Sequence, residues 1–337
     1  MNLHRVSRMG VLLCFLAFLS TNLYASQVPG PLVDTEWLKS NLDQVVILDV
    51  RNDVKSFDSK PKGAEAVNPC GVGKAKKGPV KVAGHIPGAV LVPWKQVTTK
   101  RKVGGKDIKV LLPEKDDFER LMQKSGVNAD SMVVITSKGE AVINTALAAR
   151  LYWTMKYYGF DNVALLDGGT AQWMKDKQEI EYGRSRARKG NFKATAERTE
   201  ILASTDDVMK LAEGQTEGQL LDSRSTPEYL GLTASGKFVA PGVKGHVAGA
   251  KSFPVDLYAN SLGVATLYDK NQIQQTSELL GVDTAKPTIA MCNSGVFSSL
   301  AWFVMHELLG NENVRIYDGS MHEWSHTGKP VVSMTME

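Results

Sequence analysis

The sequence predicts an α/β protein of two tandem domains, each a mostly parallel sheet flanked by helices. Three observations carry this expectation. Four short motifs recur in the same order in the two halves of the chain. Within each half, apolar runs of strand length alternate with helical patterns. The length of 337 residues suits about two domains.

Residues 1–25 read as a secretory signal peptide, not as part of the fold. Arg5 and Arg8 precede an apolar run from Val11 to Leu19, and Leu23-Tyr24-Ala25 offers cleavage after Ala25. The run is shorter than the roughly 20 residues that span a bilayer, and no later segment is long and apolar enough. The mature protein is therefore expected in the periplasm or secreted, with no membrane span. The 43% hydrophobic and 23% charged fractions describe an ordinary globular chain. A net charge of +4, falling to +2 without Arg5 and Arg8, gives no case for nucleic acid as a partner.

A helix over 35–42 opens the first domain (31–183), with Asp34 as its N-cap, and one over 205–211 opens the second (201–331), capped by Ser204. Val45-Val46-Ile47-Leu48-Asp49-Val50-Arg51 returns as Gln219-Leu220-Leu221-Asp222-Ser223-Arg224. Gly84-His85-Ile86-Pro87-Gly88-Ala89 returns as Gly245-His246-Val247-Ala248-Gly249-Ala250, and Pro93 and Pro254 follow in turn. Met132 to Ser137 returns as Pro287 to Cys292. Leu165-Leu166-Asp167-Gly168-Gly169, with Trp173, returns as Ile316-Tyr317-Asp318-Gly319-Ser320, with Trp324. The segment 184–200 between the halves is basic and lacks apolar periodicity, so it reads as a solvated linker. A Lys-, Gly- and Pro-rich loop from Lys60 to Lys81 carries Cys70.

The informative stretch is 287–310. The apolar Ile289-Ala290-Met291 ends in Cys292, a small polar loop with Gly295 follows, and Leu300 to Leu309 has the apolar content of a buried helix stopped by Gly310. A free cysteine is commonly an inert packing residue. At the end of a strand, before a helix N-terminus, it meets backbone N–H groups that favour a thiolate, and here those of residues 293–298 would surround the sulfur. In such sheets ligands bind beyond the carboxyl ends of the strands. No Lys or Arg lies between residues 287 and 314 to fork onto a phosphate, which argues against a phosphatase and for a smaller cargo. A Cys70–Cys292 disulfide is the redox alternative in an oxidising compartment.

Together the tandem Asp-x-Arg, Gly-His-(Ile/Val)-x-Gly-Ala, cysteine-loop and Asp-Gly-(Gly/Ser)…Trp elements resemble a two-domain rhodanese, over about residues 31–331. The resemblance implies two rhodanese-like domains, the first catalytically silent, with Ser137 where the second has Cys292. The loop Cys292-Asn293-Ser294-Gly295-Val296 is similar to that of 3-mercaptopyruvate sulfurtransferases, and the resemblance gives Ser294 a part in proton transfer. It implies a Cys292 persulfide loaded from thiosulfate or 3-mercaptopyruvate and unloaded onto a thiol, cyanide, sulfite or protein acceptor, with no metal or organic cofactor needed. Cys292 and Ser294 are the catalytic residues on this reading. Asn293, Gly295, Val296, Phe297 and Ser298 would bind substrate through the loop, with Arg224 and His85 as further contacts. From the residues alone, Arg224 reads first as an ion-pair partner of Asp222, and His85 and His246 first as turn or packing residues. Two features depart from the pattern. Glu228 stands where substrate-binding arginines are expected, and Asn293 where thiosulfate-using relatives tend to carry a cation. These leave open a low-turnover carrier of sulfur or selenium.

Overall fold

A computed structural model describes residues 27–60 and 81–334. The leader at 1–25, the disulfide candidate Cys70 and most of the 60–81 loop lie outside the described residues. The first sheet contains β1 (Leu32–Val33), β2 (Val45–Arg51), β3 (Val90–Pro93), β6 (Met132–Ser137) and β7 (Val163–Leu166), in the order β1-β7-β6-β2-β3. The second contains β8 (Leu202–Ala203), β9 (Gln219–Asp222), β10 (Ala250–Ser252), β11 (Thr288–Met291) and β12 (Val314–Tyr317), in the order β10-β9-β11-β12-β8. Every pairing in both sheets is parallel. Read from the opposite edge, the second order repeats the first, so the sequence repeat is a repeat of topology. The hairpin of β4 (Thr99–Val103) and β5 (Lys106–Leu111) belongs to the first domain alone and turns on Gly104-Gly105, both at positive φ.

The helices are α1 (Thr35–Ser40), α2 (Lys55–Asp58), α3 (Lys115–Lys124), α4 (Val142–Tyr157) and α5 (Gly169–Lys175) in the first domain. The second has α6 (Thr205–Ala212), α7 (Thr226–Tyr229), α8 (Lys270–Leu279), α9 (Val296–Trp302) and α10 (Ser320–His326). Asp34 caps α1 by accepting from the Trp37 amide at 2.8 Å, and Ser204 caps α6 with the reciprocal Asp207 contact. The helix after Cys292 begins at Val296, four residues before the apolar pattern suggested. Gly295 starts it at φ 80°, and a Cβ there would lie 2.7 Å from Arg150 Nη1. It continues as a π-helix, Phe303–Leu308, and stops at Gly310, φ 83°.

The segment expected to be a solvated linker is a strap fastened to the first domain. Phe192 is fully buried, its amide bonded to Val127 O at 3.0 Å, and the Gly190 amide reaches Gln123 O at 2.8 Å. Lys193 pairs with Glu119 and Arg198 forks onto Asp161. Its charges face outward, which hid the single apolar anchor from a reading based on periodicity.

The two domains share one core. Helix α4 is buried around almost its whole circumference, as a helix between two packed bodies must be, and it lies against α9. Trp153, Leu300, Trp302 and Phe303 fill the seam, each such side chain contributing about 1.5–3 kcal/mol by leaving water. Side chains of a strand alternate between its faces. Leu221 and Ala290 point into this shared core, whereas Leu220, Ile289 and Met291 point into a separate cluster beneath α6 and α10. Residues two positions beyond Leu221 and Ala290 therefore face the seam between the domains.

Candidate active site

Cys292 follows β11 directly and is 1% exposed and free. The Ser294 amide points at its sulfur from 3.4 Å, and the Ser298 hydroxyl lies 3.7 Å away, within reach of a weak bond to sulfur. The full ring of amides expected from residues 293–298 is not formed. The Gly295 amide instead donates to Ser320 Oγ at 3.2 Å, as does the Cys292 amide at 3.1 Å. Val296 and Phe297 open α9 and pack on the shared core. Asn293 donates from Nδ2 to Glu228 Oε1 at 2.8 Å, and its own Oδ1 is buried without a partner.

Ser320 organises this loop and was not singled out by the sequence reading. It sits at φ 49°, an uncommon conformation for a side chain with a Cβ. Its hydroxyl donates to Tyr317 O at 2.8 Å while accepting both loop amides. The first copy has Gly169 at this position, where a Cβ would fall 2.4 Å from Ser137 O. The change from Asp-Gly-Gly to Asp-Gly-Ser between the copies was the available signal.

Arg224 is buried and held by its own strand and turn. Its Nε and Nη2 bind Asp222, and Nη2 also reaches Gly245 O at 2.8 Å. Arg51 does the same with Asp49 and Gly84 O, also at 2.8 Å, so the Asp-x-Arg motif ties each strand to the following Gly-His turn. His85 is 1% exposed and stacks on Phe57 at 4.0 Å, with its ring nitrogens at Ile86 O and Gly183 O. His246 stacks on Tyr229 at 3.8 Å in the same manner. These contacts give both histidines the packing role and keep His85 within its own domain. Trp173 and Trp324 are core residues whose indole N–H groups bond Glu179 O and Pro330 O.

The cation missing from the loop sequence arrives from the other domain. Arg150, on α4, is fully buried and lies 2.5 Å from Asp318 Oδ1 and 3.4 Å from Gly295 O. Its guanidinium also lies over Trp153, 4.8 Å from the ring centroid. Asp318 Oδ2 accepts from the Leu112 amide at 2.7 Å, which seats the end of the first domain's hairpin on the turn after β12, the turn whose Ser320 holds the cysteine loop. A charged residue inside an apolar helix pattern was the visible clue to Arg150. Among the described residues, no group of three His, Cys, Asp or Glu side chains is placed to hold a metal ion.

His322 closes the same edge. It is 3% exposed, faces the Lys109 amide across 3.3 Å, and has Phe238 and His326 against its ring. Burial first, and then His326, lower its pKa below the usual histidine value. A histidine with a depressed folded pKa takes up its proton more readily when unfolded, so stability falls as pH drops below about 6.5. Denaturation midpoints between pH 7 and pH 5 should fall in the native protein and fall less in His322→Gln. Equal slopes would remove His322 from this dependence.

Known proteins agree with this architecture. The rhodanese-like domain model matches residues 34–176 and 204–327. A Saccharopolyspora erythraea protein named as a thiosulfate sulfurtransferase is 30% identical over 311 residues, covering 89% of this chain and 95% of its own. The sulfur carrier protein TtuD of Thermus thermophilus is 29% identical, covering 90% of this chain and 96% of its own. Among solved structures, the 3-mercaptopyruvate sulfurtransferase SseA of Escherichia coli shares the fold, with a TM-score of 0.64 and 24% identity over 86% of this chain and 98% of its own. The duplicated topology, the Cys292 loop and the two matched segments together place the chain in the rhodanese family.

Proposed function

We propose that this sulfurtransferase is exported and moves a sulfane sulfur through a persulfide on Cys292. The observation that carries the reading is a buried cysteine at a strand end with a backbone amide and a hydroxyl aimed at its sulfur. The Cys292 thiolate attacks the outer sulfur of thiosulfate. The donor's S–S bond breaks, sulfite leaves with the electron pair, and a Cys–S–S⁻ group remains. Cyanide, a thiol or sulfite then attacks that outer sulfur, and the Cys292 thiolate is the leaving group. With 3-mercaptopyruvate the bond broken is C–S, and the pyruvate carbanion takes up a proton, for which Ser294 is the proposed relay. Electrons balance in each half without an external oxidant. Intact-protein mass after exposure to each donor should rise by one sulfur and return on adding cyanide. No gain with either donor would sink the persulfide.

The leader carried by Arg5, Arg8 and the run to Leu19 supports export, and an exported protein still bearing residues 1–25 would count against cleavage at Ala25. Among the described residues no helix is long and apolar enough to cross a membrane.

A carrier role is the second reading, supported by the likeness to the Thermus sulfur carrier and by Glu228. Glu228 is half-buried and held by Asn293 and Ser225 beside the cysteine loop, where a carboxylate repels anionic donors. Glu228→Gln keeps the hydrogen-bond geometry and removes the charge. The KM for thiosulfate and for 3-mercaptopyruvate should fall by about three- to tenfold, the range of a partly screened charge contact. An unchanged KM would show that these donors do not pass Glu228. Repeated turnover favours the enzyme, and loading without turnover favours the carrier.

A further inference from the structure

The two copies of the fold act as internal controls for one another. In register, Met291 pairs with Asp222, and the Ser223 amide donates to Met291 O at 2.8 Å, so Ser223 and Cys292 come side by side at the strand ends. Both lie two residues beyond positions that face the seam, Leu221 and Ala290. Tyr258 follows the short turn after β10, is fully buried, and stacks on Phe253 with 5.0 Å between ring centroids. The Ser223 hydroxyl and the Tyr258 phenol are near enough to influence each other, yet neither makes a hydrogen bond of good geometry. The Phe253 amide donates to Asp222 O at 2.8 Å, which brings Tyr258 to the same strand ends. A buried hydroxyl without a partner ordinarily costs about 1–3 kcal/mol, so two at the strand ends that carry Cys292 call for a reason.

The first copy supplies one. Aligning the Asp-x-Arg motifs puts Val50 where Ser223 stands, and aligning Pro93 with Pro254 puts Val97 where Tyr258 stands. Val50 and Val97 are both buried core residues. Polar replaces apolar at both places only in the copy where cysteine replaces Ser137. Space alone does not require this, because the same scaffold accepts valine.

We propose that Tyr258 and Ser223 form a second hydrogen-bonding wall of the site and donate their hydroxyls to the outer sulfur carried on Cys292. This rests on the persulfide reading above and adds two binding residues from outside the cysteine loop. An anionic terminal sulfur provides the acceptor that both hydroxyls lack in the unloaded protein. Burial foremost, and then the negative charge on Cys292, push the Tyr258 phenol well above its ordinary pKa, while Ser223 opposes this. The phenol therefore keeps its proton and serves as a donor, not as an acid.

The test uses the full mature protein as wild type, Tyr258→Phe and Ser223→Ala. Thermal unfolding is first measured without sulfur. The phenol's missing partner predicts that Tyr258→Phe unfolds at an equal or higher temperature, whereas a structural hydroxyl would lower it and overturn the inference. The proteins are then loaded with thiosulfate or 3-mercaptopyruvate, and alkylation of the carried sulfur by iodoacetamide is followed by mass across pH. Loss of a donor to an anion raises the pH at which the terminal sulfur reacts. Each variant should shift that profile upward, with a rate about ten- to a hundredfold lower on its acid side. A wild type that loads while Tyr258→Phe and Ser223→Ala keep its profile overturns this inference and leaves the persulfide intact. A wild type that takes no sulfur from either donor overturns the persulfide reading and this inference with it.

Discussion

Cys292→Ser should abolish sulfur transfer while leaving the fold in place. Thiocyanate formation from cyanide and either donor is expected to fall by about 10⁴-fold or more, the scale on which loss of a covalent nucleophile acts. Serine is close in size, and the Ser294 amide and Ser298 hydroxyl that face the sulfur can serve its oxygen equally well. Stability should therefore change by no more than about 1 kcal/mol. That combination, intact folding with no mass gain on exposure to donor, separates chemistry from collapse. Retention of a sulfur atom by the serine variant would move the carrier site elsewhere on the chain.

The second large effect is expected from Arg150, which touches the site only through its supports. Its guanidinium is fully buried against Asp318 and reaches the Gly295 carbonyl across the domain boundary. Arg150→Met leaves the Asp318 carboxylate without its cation in a water-poor seam. Removing one partner of a buried pair costs about 3–5 kcal/mol. Denaturant titration should show that loss. Arg150→Met combined with Asp318→Asn should recover more than half of it, because no unpaired charge then remains. Transfer activity should follow the loop: reduced in the single variant and partly restored in the double. Equal stability of wild type and Arg150→Met would mean that the pair contributes nothing net to holding the domains together.

Much of this architecture was legible because duplicated motifs constrain each other. A strand, its Asp-x-Arg end and a Gly-His turn appear twice, and the structure closes both with the same arginine-to-carbonyl contact. Cys292 could be placed because a short apolar run, a glycine loop and an apolar helix leave few alternatives. What stayed hidden depends on contacts between distant residues. Arg150 and Gly295 are 145 positions apart, and periodicity carries no trace of such a meeting. The hairpin of β4 and β5 is half-exposed and charged, so its sequence gives little sign that it seats on α10. The start of α9 was missed because Ser298 and Ser299 interrupt the apolar pattern, although both are buried. The expected ring of amides failed for a local reason: Ser320 captures the Gly295 N–H group, along with that of Cys292 itself.

Cys292 is almost wholly enclosed where the two domains meet. A sulfur atom carried there, on the proposed persulfide, would be screened from a dissolved reductant by the protein around it. An acceptor would then have to reach the sulfur through that same enclosure, so what protects the cargo would also limit its delivery.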